Sequence, residues 1–215
     1  MIRATVAAAF AGILSMPVLA HAAGGGVTDY GQPGTIEVGG TVSFSSGSTT
    51  IKPKGGGSSQ TDTTTTIFFG PTGGYFLTDS VELLGDIVYG SSSDKISGGG
   101  GTTSSSVIAL RVGGGYYFAA GDSGMKVGPD LKIGFASVSD DFGGGNKADA
   151  AGLVALPGVT FKAPMGKDKG AVLSAGLHYD YESLSGKDKS AGGSVDVTNN
   201  TGDIILDAAF TYFFK

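Results

Sequence analysis

His178 is the residue of this chain best suited to acid–base or nucleophilic chemistry, since the other histidine, His21, lies in an apolar leader. Asp180 and Glu182 follow at two-residue spacing, so all three side chains share one face of an extended strand. A hydrolase would need a serine within hydrogen-bond reach of this histidine. Ser174 shares the face but lies four residues away, which is about 13 Å along a strand. A serine on another strand stays open; we predict a histidine in an internal polar network and no enzymatic activity.

Other signatures of cofactor or metal chemistry are missing from the sequence. The chain has no cysteine, which excludes disulfide and thiolate–zinc frameworks. No phosphate-binding G-x-x-x-x-G-K-[ST] motif occurs, and Asp140, Asp141 and Asp149 lack the spacing of an EF-hand. With 14 Lys+Arg against 19 Asp+Glu, the chain is too acidic for a typical nucleic-acid binder. We predict no cofactor, no metal site and no nucleic-acid partner.

The elements that position these residues are predicted to be strands. Glycine provides 40 of the 215 residues, and each glycine inside a helix costs about 1 kcal/mol relative to alanine. Apolar side chains alternate with polar or mixed ones, as expected for strands with one apolar face. Eight such segments are predicted, at approximately Thr35–Ser45, Thr63–Phe76, Ser80–Gly90, Ser106–Phe118, Met125–Val138, Ala150–Ala163, Ala171–Leu184 and Thr201–Phe214.

The connections between these segments alternate in length. The long ones are rich in Ser, Thr, Gly and Lys: Ser46–Asp62, Ser91–Ser105, Ser139–Asp149 and Ser185–Asn200. The short ones are Leu77–Asp79, Ala119–Gly124 and Pro164–Gly170. Long loops at one end and tight turns at the other are typical of outer-membrane barrels. Residues 35–215 are therefore predicted to form an all-β protein, an eight-stranded antiparallel up-and-down transmembrane β-barrel.

Aromatic residues concentrate near the predicted short turns, where a membrane barrel carries an aromatic girdle. This predicted girdle comprises Tyr30, Tyr75, Phe76, Tyr116, Phe118, Phe161, Tyr212 and Phe214. The less apolar strand faces carry the charges, whereas a soluble ligand-binding barrel would place aliphatic residues inside and charges outside. The pattern thus favours a barrel with a lipid-facing exterior and a polar lumen.

Three segments resemble the outer-membrane β-barrel domain family, the small OmpA/OmpX-type barrels. The stretch IEVGGTVSF at 36–44 resembles the family's first strand. The stretch GPTGGYFLTD at 70–79 resembles the family's tight turn between the second and third strands. The stretch VGPDLKIG at 127–134 also resembles sequences of this family. The resemblance covers the mature chain and implies the fold and an outer-membrane location, but no single activity. Such barrels usually end on an aromatic residue that the barrel-assembly machinery recognises. Here Phe214 is followed by Lys215, and the resemblance implies this machinery as a partner of the strand ending at Phe214.

The N-terminus indicates export. A short positive start precedes an apolar stretch too short for a membrane helix, and the small residues Ala20 and Ala22 fit a cleavage pattern. Residues 1–22 are predicted to be a secretory signal peptide, with Ala23 as the first mature residue. Three consecutive glycines and a proline then favour a flexible periplasmic lead-in over 23–34.

Pairing of neighbouring predicted strands brings inward-facing charges together. The hairpin from the third to the fourth strand places Asp86 near Arg111. We predict an inward charge network that plugs the barrel: Glu82, Asp86, Arg111, Asp130 and Lys132. Pairing of the last two strands brings Glu182 close to Asp203, and these form an acidic lumen wall with two further carboxylates, Asp180 and Asp207.

The function that these features favour is a structural role in the cell outer membrane, with surface loops of unknown partner. Outer-membrane lipid and lipopolysaccharide are the expected surroundings, and the barrel is expected to be a monomer. The alternative is a narrow passive pore, which would prefer cations because acidic rings attract them. A lipid-modifying barrel enzyme and an adhesin are less favoured.

Overall fold

The computed structural model describes residues 30–51, 60–95, 102–121, 124–143, 146–165, 170–190 and 193–215. The predicted signal peptide with its cleavage residues Ala20, Ala22 and Ala23, and the lead-in as far as residue 29, lie outside these ranges. Within them, no helix is long and apolar enough to cross a membrane.

The described chain is built from antiparallel strands. They are β1 (Ile36–Ile51), β2 (Gln60–Phe76), β3 (Val81–Lys95), β4 (Thr102–Tyr116), β5 (Phe118–Ala119), β6 (Lys126–Gly143), β7 (Asn146–Met165), β8 (Ala171–Ser190) and β9 (Gly193–Phe214). The two-residue β5 follows β4 after a break at Tyr117 and pairs with β6, as β4 does. Because β4 and β5 share one position in the wall, the barrel has eight strand positions.

Pairing of the first strand with the last closes the sheet. β1 pairs with β9 from Ile36 opposite Phe214 to Ser46 opposite Ile204, and the remaining strands pair in chain order through the contact of β4 with β6. A closed barrel leaves no unpaired strand edge, which a lipid environment requires. The predicted eight-stranded antiparallel barrel is therefore confirmed.

The outer face carries the large apolar side chains. On β4, Ile108, Leu110 and Val112 are 54–58% exposed, and the outer residues of β6, β8 and β9 continue this band with Leu, Ile, Phe and Tyr. A belt of exposed aliphatic and aromatic residues around a closed barrel is the surface that contacts lipid in membrane barrels.

The end with the short connections, called the short-turn end below, has the predicted tight turns. Between β2 and β3, the hydroxyl of Thr78 accepts hydrogen bonds from the backbone N–H groups of Ser80 and Val81 at 3.2 and 3.0 Å. A threonine hydroxyl that binds the backbone two and three residues onward fixes a turn locally. The residues of the turn are therefore sufficient to specify its local conformation.

The opposite end, called the hairpin end, differs from the sequence prediction. Much of the predicted loop 46–62 is strand, because β1 and β2 stay paired as far as Ile51 opposite Gln60. The predicted loop 185–200 is also largely strand, and its pairing reaches Ser190 opposite Gly193. Beyond the apolar band neither strand face needs apolar residues, so alternation vanishes from the sequence while backbone pairing continues.

Candidate functional site in the barrel lumen

An aromatic cluster closes the lumen at the short-turn end. We call it the aromatic plug; it consists of five buried residues, Tyr30, Phe76, Tyr117, Val172 and Phe213. The ring of Tyr30 lies 5.6 Å from that of Phe76 and 5.2 Å from that of Phe213. Tyr117 occupies the break between β4 and β5 and its ring lies 6.4 Å from that of Phe76. Tyr30 and Phe76 were predicted for the outer girdle and instead fill the lumen, whereas Tyr75, Tyr116 and Phe118 do face outward.

The described part of the lead-in, residues 30–34, is packed against the barrel. Tyr30 is 3% exposed and its hydroxyl donates to Glu37 Oε1 at 2.6 Å. Burial, followed by the negative charges of Glu37 and Glu82, raises the pKa of Tyr30 well above its usual value, so the hydroxyl remains a donor. The backbone N–H of Gly34 also donates to the carbonyl of Phe76 at 2.8 Å. The predicted flexible lead-in differs from the structure here, because a buried aromatic side chain anchors it.

A lysine lies directly above the plug between two carboxylates. Lys162 Nζ is 2.6 Å from Glu82 Oε2 and 3.1 Å from Glu37 Oε1, and all three side chains are buried. Thr211 donates to the other oxygen of Glu37 at 3.1 Å. The same ammonium lies 5.1 Å from the ring centre of Tyr117, so it joins the ionic layer to the aromatic plug.

A second ionic cluster joins three strands. Arg111 Nε lies 2.6 Å from Asp86 Oδ1, and Lys132 Nζ lies 3.0 Å from Asp86 Oδ2. Asp86 and Arg111 are direct cross-strand neighbours on β3 and β4. Each oxygen of this buried carboxylate therefore has its own cationic partner.

His178 lies between two aspartates. Its Nε2 is 2.8 Å from Asp130 Oδ1, and its Nδ1 is 2.9 Å from Asp207 Oδ2, an ion-pair distance without hydrogen-bond alignment. The other oxygen of Asp130 accepts from Thr160 at 2.8 Å and from Tyr117 at 3.4 Å. Only a protonated imidazole offers a donor at both nitrogens. Both ring nitrogens face carboxylates, which is the arrangement of a structural ion-pair cluster. A histidine that activates a serine would instead have one nitrogen beside the serine hydroxyl.

The five residues of the predicted inward network all line the lumen but fall into separate clusters. Asp86, Arg111 and Lys132 meet one another. Glu82 pairs instead with Lys162, and Asp130 pairs with His178. The pairings of Glu82 with Lys162 and of Asp130 with His178 were not predicted, because they join strands that are not neighbours and local hairpin pairing carries no signal for such contacts.

The predicted acidic wall is divided in a similar way. Asp180 lies directly opposite Asp203 on the neighbouring strand, while Glu182 lies opposite Thr201. Asp207 belongs to the His178 cluster. Asp180 is buried, and its Oδ1 makes no hydrogen bond within the described part of the chain.

An apolar cluster fills the lumen toward the hairpin end. Its buried members come from strands around the barrel: Val88, Ala109, Ala136, Val154, Leu156, Leu184 and Ile205. The polar space between this cluster and the plug, lined by Glu37, Glu82 and Asp130 among others, holds about 50 Å³. Such a volume accommodates only a few water molecules, at about 10–15 Å³ of accessible volume each. Among the described side chains no group of three or more His, Cys, Asp or Glu is arranged to hold a metal ion.

Comparison with solved structures identifies the fold. No family model and no curated protein sequence matches the chain. The crystal structure of the outer membrane protein OprG from Pseudomonas aeruginosa matches with a TM-score of 0.59 and 16% identity, covering 85% of this chain and 97% of that one. The crystal structure of Neisserial surface protein A matches with a TM-score of 0.54 and 16% identity, covering 83% and 98%. This chain has the fold of the small outer-membrane β-barrels.

In a small outer-membrane barrel fold, the two faces of each strand meet different surroundings. Leu131, Ile133 and Phe135 of β6 are about half exposed on the outer face. Asp130 and Lys132, which alternate with them, point into the lumen and form ion pairs. The alternation detected in the sequence therefore separates a lipid-facing surface from a charged interior.

Proposed function

We propose that this protein is a non-conducting structural barrel of the outer membrane. The observation that carries the proposal is the filled lumen, in which the aromatic plug, the ionic clusters and the apolar cluster follow one another along the axis. Eight strands enclose an interior just wide enough for side chains to fill. Buried Glu37, Glu82, Asp86 and Asp130 each contact a cationic or histidine side chain, as expected for a packed interior rather than for a water-filled channel.

We further propose that the chain reaches the outer membrane through cleavage of the signal peptide 1–22 and acts there as a monomer without enzymatic activity. The barrel-assembly machinery would recognise β9, which ends at Phe214 and completes the sheet against β1. N-terminal sequencing of protein extracted from membranes should give Ala23 first. Retention of residues 1–22 in the extracted protein would contradict the export proposal.

The experiment that tests the closed lumen is single-channel recording of the refolded protein in planar bilayers. We expect no stepwise conductance, even in concentrated potassium chloride. Heat-modifiable mobility on gels supplies the control that the inserted protein is folded. Steady channels from protein shown to be folded would overturn the proposal.

A narrow cation-preferring pore is the second candidate, and one observation favours it. Asp180 and Asp203 oppose each other about midway along β8 and β9, with Glu182 following on the same strand as Asp180. Carboxylates concentrated at one level of a passage attract cations and repel anions. If channels are recorded, the reversal potential in a salt gradient should therefore show cation preference.

A further inference from the structure

The outer face of the barrel carries an apolar groove across β4, β6, β7 and β8, with a volume of about 620 Å³. Its upper row, nearer the hairpin end, contains Leu110, Phe135 and Leu153, which are cross-strand neighbours. Its lower row contains Ala155, whose neighbours are Ile133 and Tyr181. The groove exists because the short side chain of Ala155 lies between these larger ones. Its volume falls within the range of about 300–1,000 Å³ found for small-molecule sites.

A group of lysines lies on the same outer face, between the groove and the hairpin end. Lys187 is four residues beyond the groove residue Ser183 on β8, about 13 Å along the strand. Lys189 follows on β8, and Lys147 is its direct neighbour on β7. The other basic residues whose side chains the structure describes lie in the lumen, except Lys215 at the C-terminus. Three lysines therefore lie on the outer face between this groove and the hairpin end.

These lysines are available to a ligand. Lys189 lies 3.4 Å from Asp149, and Lys147 lies 3.6 Å from Asp141, with all four side chains about half exposed or more. Exposed pairs of this kind contribute little, so an incoming phosphate can compete for the ammonium groups. Lys187 makes no ion pair with any side chain that the structure describes.

Carboxylates lie beside the lysines and limit what the lysines attract. Asp149 accepts a hydrogen bond from Ser139 at 2.8 Å. Asp196 lies opposite Lys187 on β9. With Asp141, the carboxylates equal the lysines in number, so a free anion experiences little net attraction. A ligand that binds here must also occupy the apolar groove.

We propose that the groove and the lysines together bind a phosphorylated glycolipid of the outer leaflet, the lipid A part of lipopolysaccharide. An acyl chain lies in the groove, and a phosphate group contacts Lys187 and Lys189. The proposal rests on the proposed outer-membrane location, in which the hairpin end faces outward. Along the barrel axis, the lysines lie nearer the hairpin end than the apolar groove does. In such a lipid of the outer leaflet, the phosphate likewise lies nearer the outside than the acyl chains do.

Native mass spectrometry of the refolded protein tests this site with three probes: diphosphoryl lipid A, its dephosphorylated form and phosphatidylglycerol. We expect diphosphoryl lipid A to be retained best. The double variant Lys187→Ala/Lys189→Ala should reduce its retention about tenfold or more, since each basic residue near an anionic lipid surface contributes about a factor of five. Ala155→Leu should also reduce retention by filling the groove. Lys215→Ala, which removes an exposed lysine at the other end, is the matched control and should leave retention unchanged.

Equal retention by the wild type, the double lysine variant and Ala155→Leu would overturn the proposal. Equal or stronger retention of phosphatidylglycerol or of dephosphorylated lipid A would overturn it as well, because the site would then lack selectivity for the lipid A phosphates. These variants lie outside the lumen and should remain non-conducting. Channels recorded alongside normal lipid A retention would therefore contradict only the closed-lumen proposal.

Discussion

The contribution of a buried charged residue to stability depends on how many oppositely charged partners its neighbours retain when it is removed. Lys162 is the cation that contacts both Glu37 and Glu82, whereas Asp86 has two cations, Arg111 and Lys132. Removal of Lys162 leaves two buried carboxylates facing each other, while removal of Arg111 leaves Asp86 with one partner. The loss of unfolding free energy should therefore be larger when Lys162 is removed than when Arg111 is removed.

We expect Lys162→Ala to lower the free energy of unfolding by about 3–5 kcal/mol, as removal of one partner from a buried ion pair does. Arg111→Ala should lower it less, and Lys147→Ala, at an exposed pair, by less than about 1 kcal/mol. Urea titrations of the protein refolded in lipid vesicles measure all three. Adding Glu82→Gln to the Lys162→Ala variant should restore part of the loss. An equal effect of all three alanine substitutions would contradict the buried ionic layer.

The contribution of the Tyr30 hydroxyl to stability can be measured separately from the contribution of its ring. Tyr30→Phe removes the donor to Glu37 but keeps the aromatic packing, so unfolding should become easier by about 1.5–3 kcal/mol, the usual contribution of a hydrogen bond to a charged group. Tyr30→Ala should cost more, because the ring contacts with Phe76 and Phe213 are lost as well. Urea titrations compare the two variants. If neither changes stability, residues 30–34 are not anchored as the structure shows.

At the scale of strands, a glycine makes room for the central histidine. Gly158 on β7 is the cross-strand neighbour of His178 on β8, and a Cβ atom added at Gly158 would overlap the imidazole ring. We expect Gly158→Ala to displace the ring from Asp130 and to lower the free energy of unfolding by about 1–3 kcal/mol, the range for overpacked interiors.

The matched control is Gly85→Ala, also within a strand. A Cβ added at Gly85 meets its nearest atom, the carbonyl oxygen of Arg111, at an ordinary contact distance of 3.8 Å. This substitution should leave stability nearly unchanged in the same titration. Similar losses at both glycines would indicate a general intolerance of side chains rather than the specific packing of His178.

The strands also show which contacts can be predicted from the sequence. Asp86 and Arg111 were predicted to be neighbours because they flank one hairpin, and symmetric pairing about its loop fixes their register. The contact of Glu82 with Lys162 joins β3 to β7 across the lumen, and it depends on barrel closure and tilt, which alternation does not encode. Tyr30 was misplaced because it precedes the first strand, where a two-residue period says nothing about direction.

At the scale of the whole molecule, two barriers lie one after the other along the lumen, and together they determine whether ions pass. The aromatic plug closes the short-turn end and the apolar cluster closes the lumen toward the hairpin end. We expect Phe76→Ala/Tyr117→Ala to remain non-conducting, because the apolar cluster persists, and Leu156→Ala/Leu184→Ala to remain so for the converse reason. The four substitutions combined should produce conductance that prefers cations, owing to the carboxylates of the lumen.

Planar-bilayer recording with a salt gradient measures both conductance and ion preference for these variants. Heat-modifiable mobility shows beforehand which variants are folded. Conductance from either double variant alone would place the barrier at one end only, and anion preference of the combined variant would contradict an acidic lumen.

The pairing of β1 with β9 has a consequence for the order of events during biogenesis. The strand at Ile36–Ser46 finds its partner only at Ile204–Phe214, so this ladder joins the two most distant strands in the sequence. Contacts between segments so distant in sequence form slowly. Until then both terminal strands present open edges, which template intermolecular aggregation. Closure of the barrel should therefore be a late step of folding, and the chain is most prone to aggregate before that step.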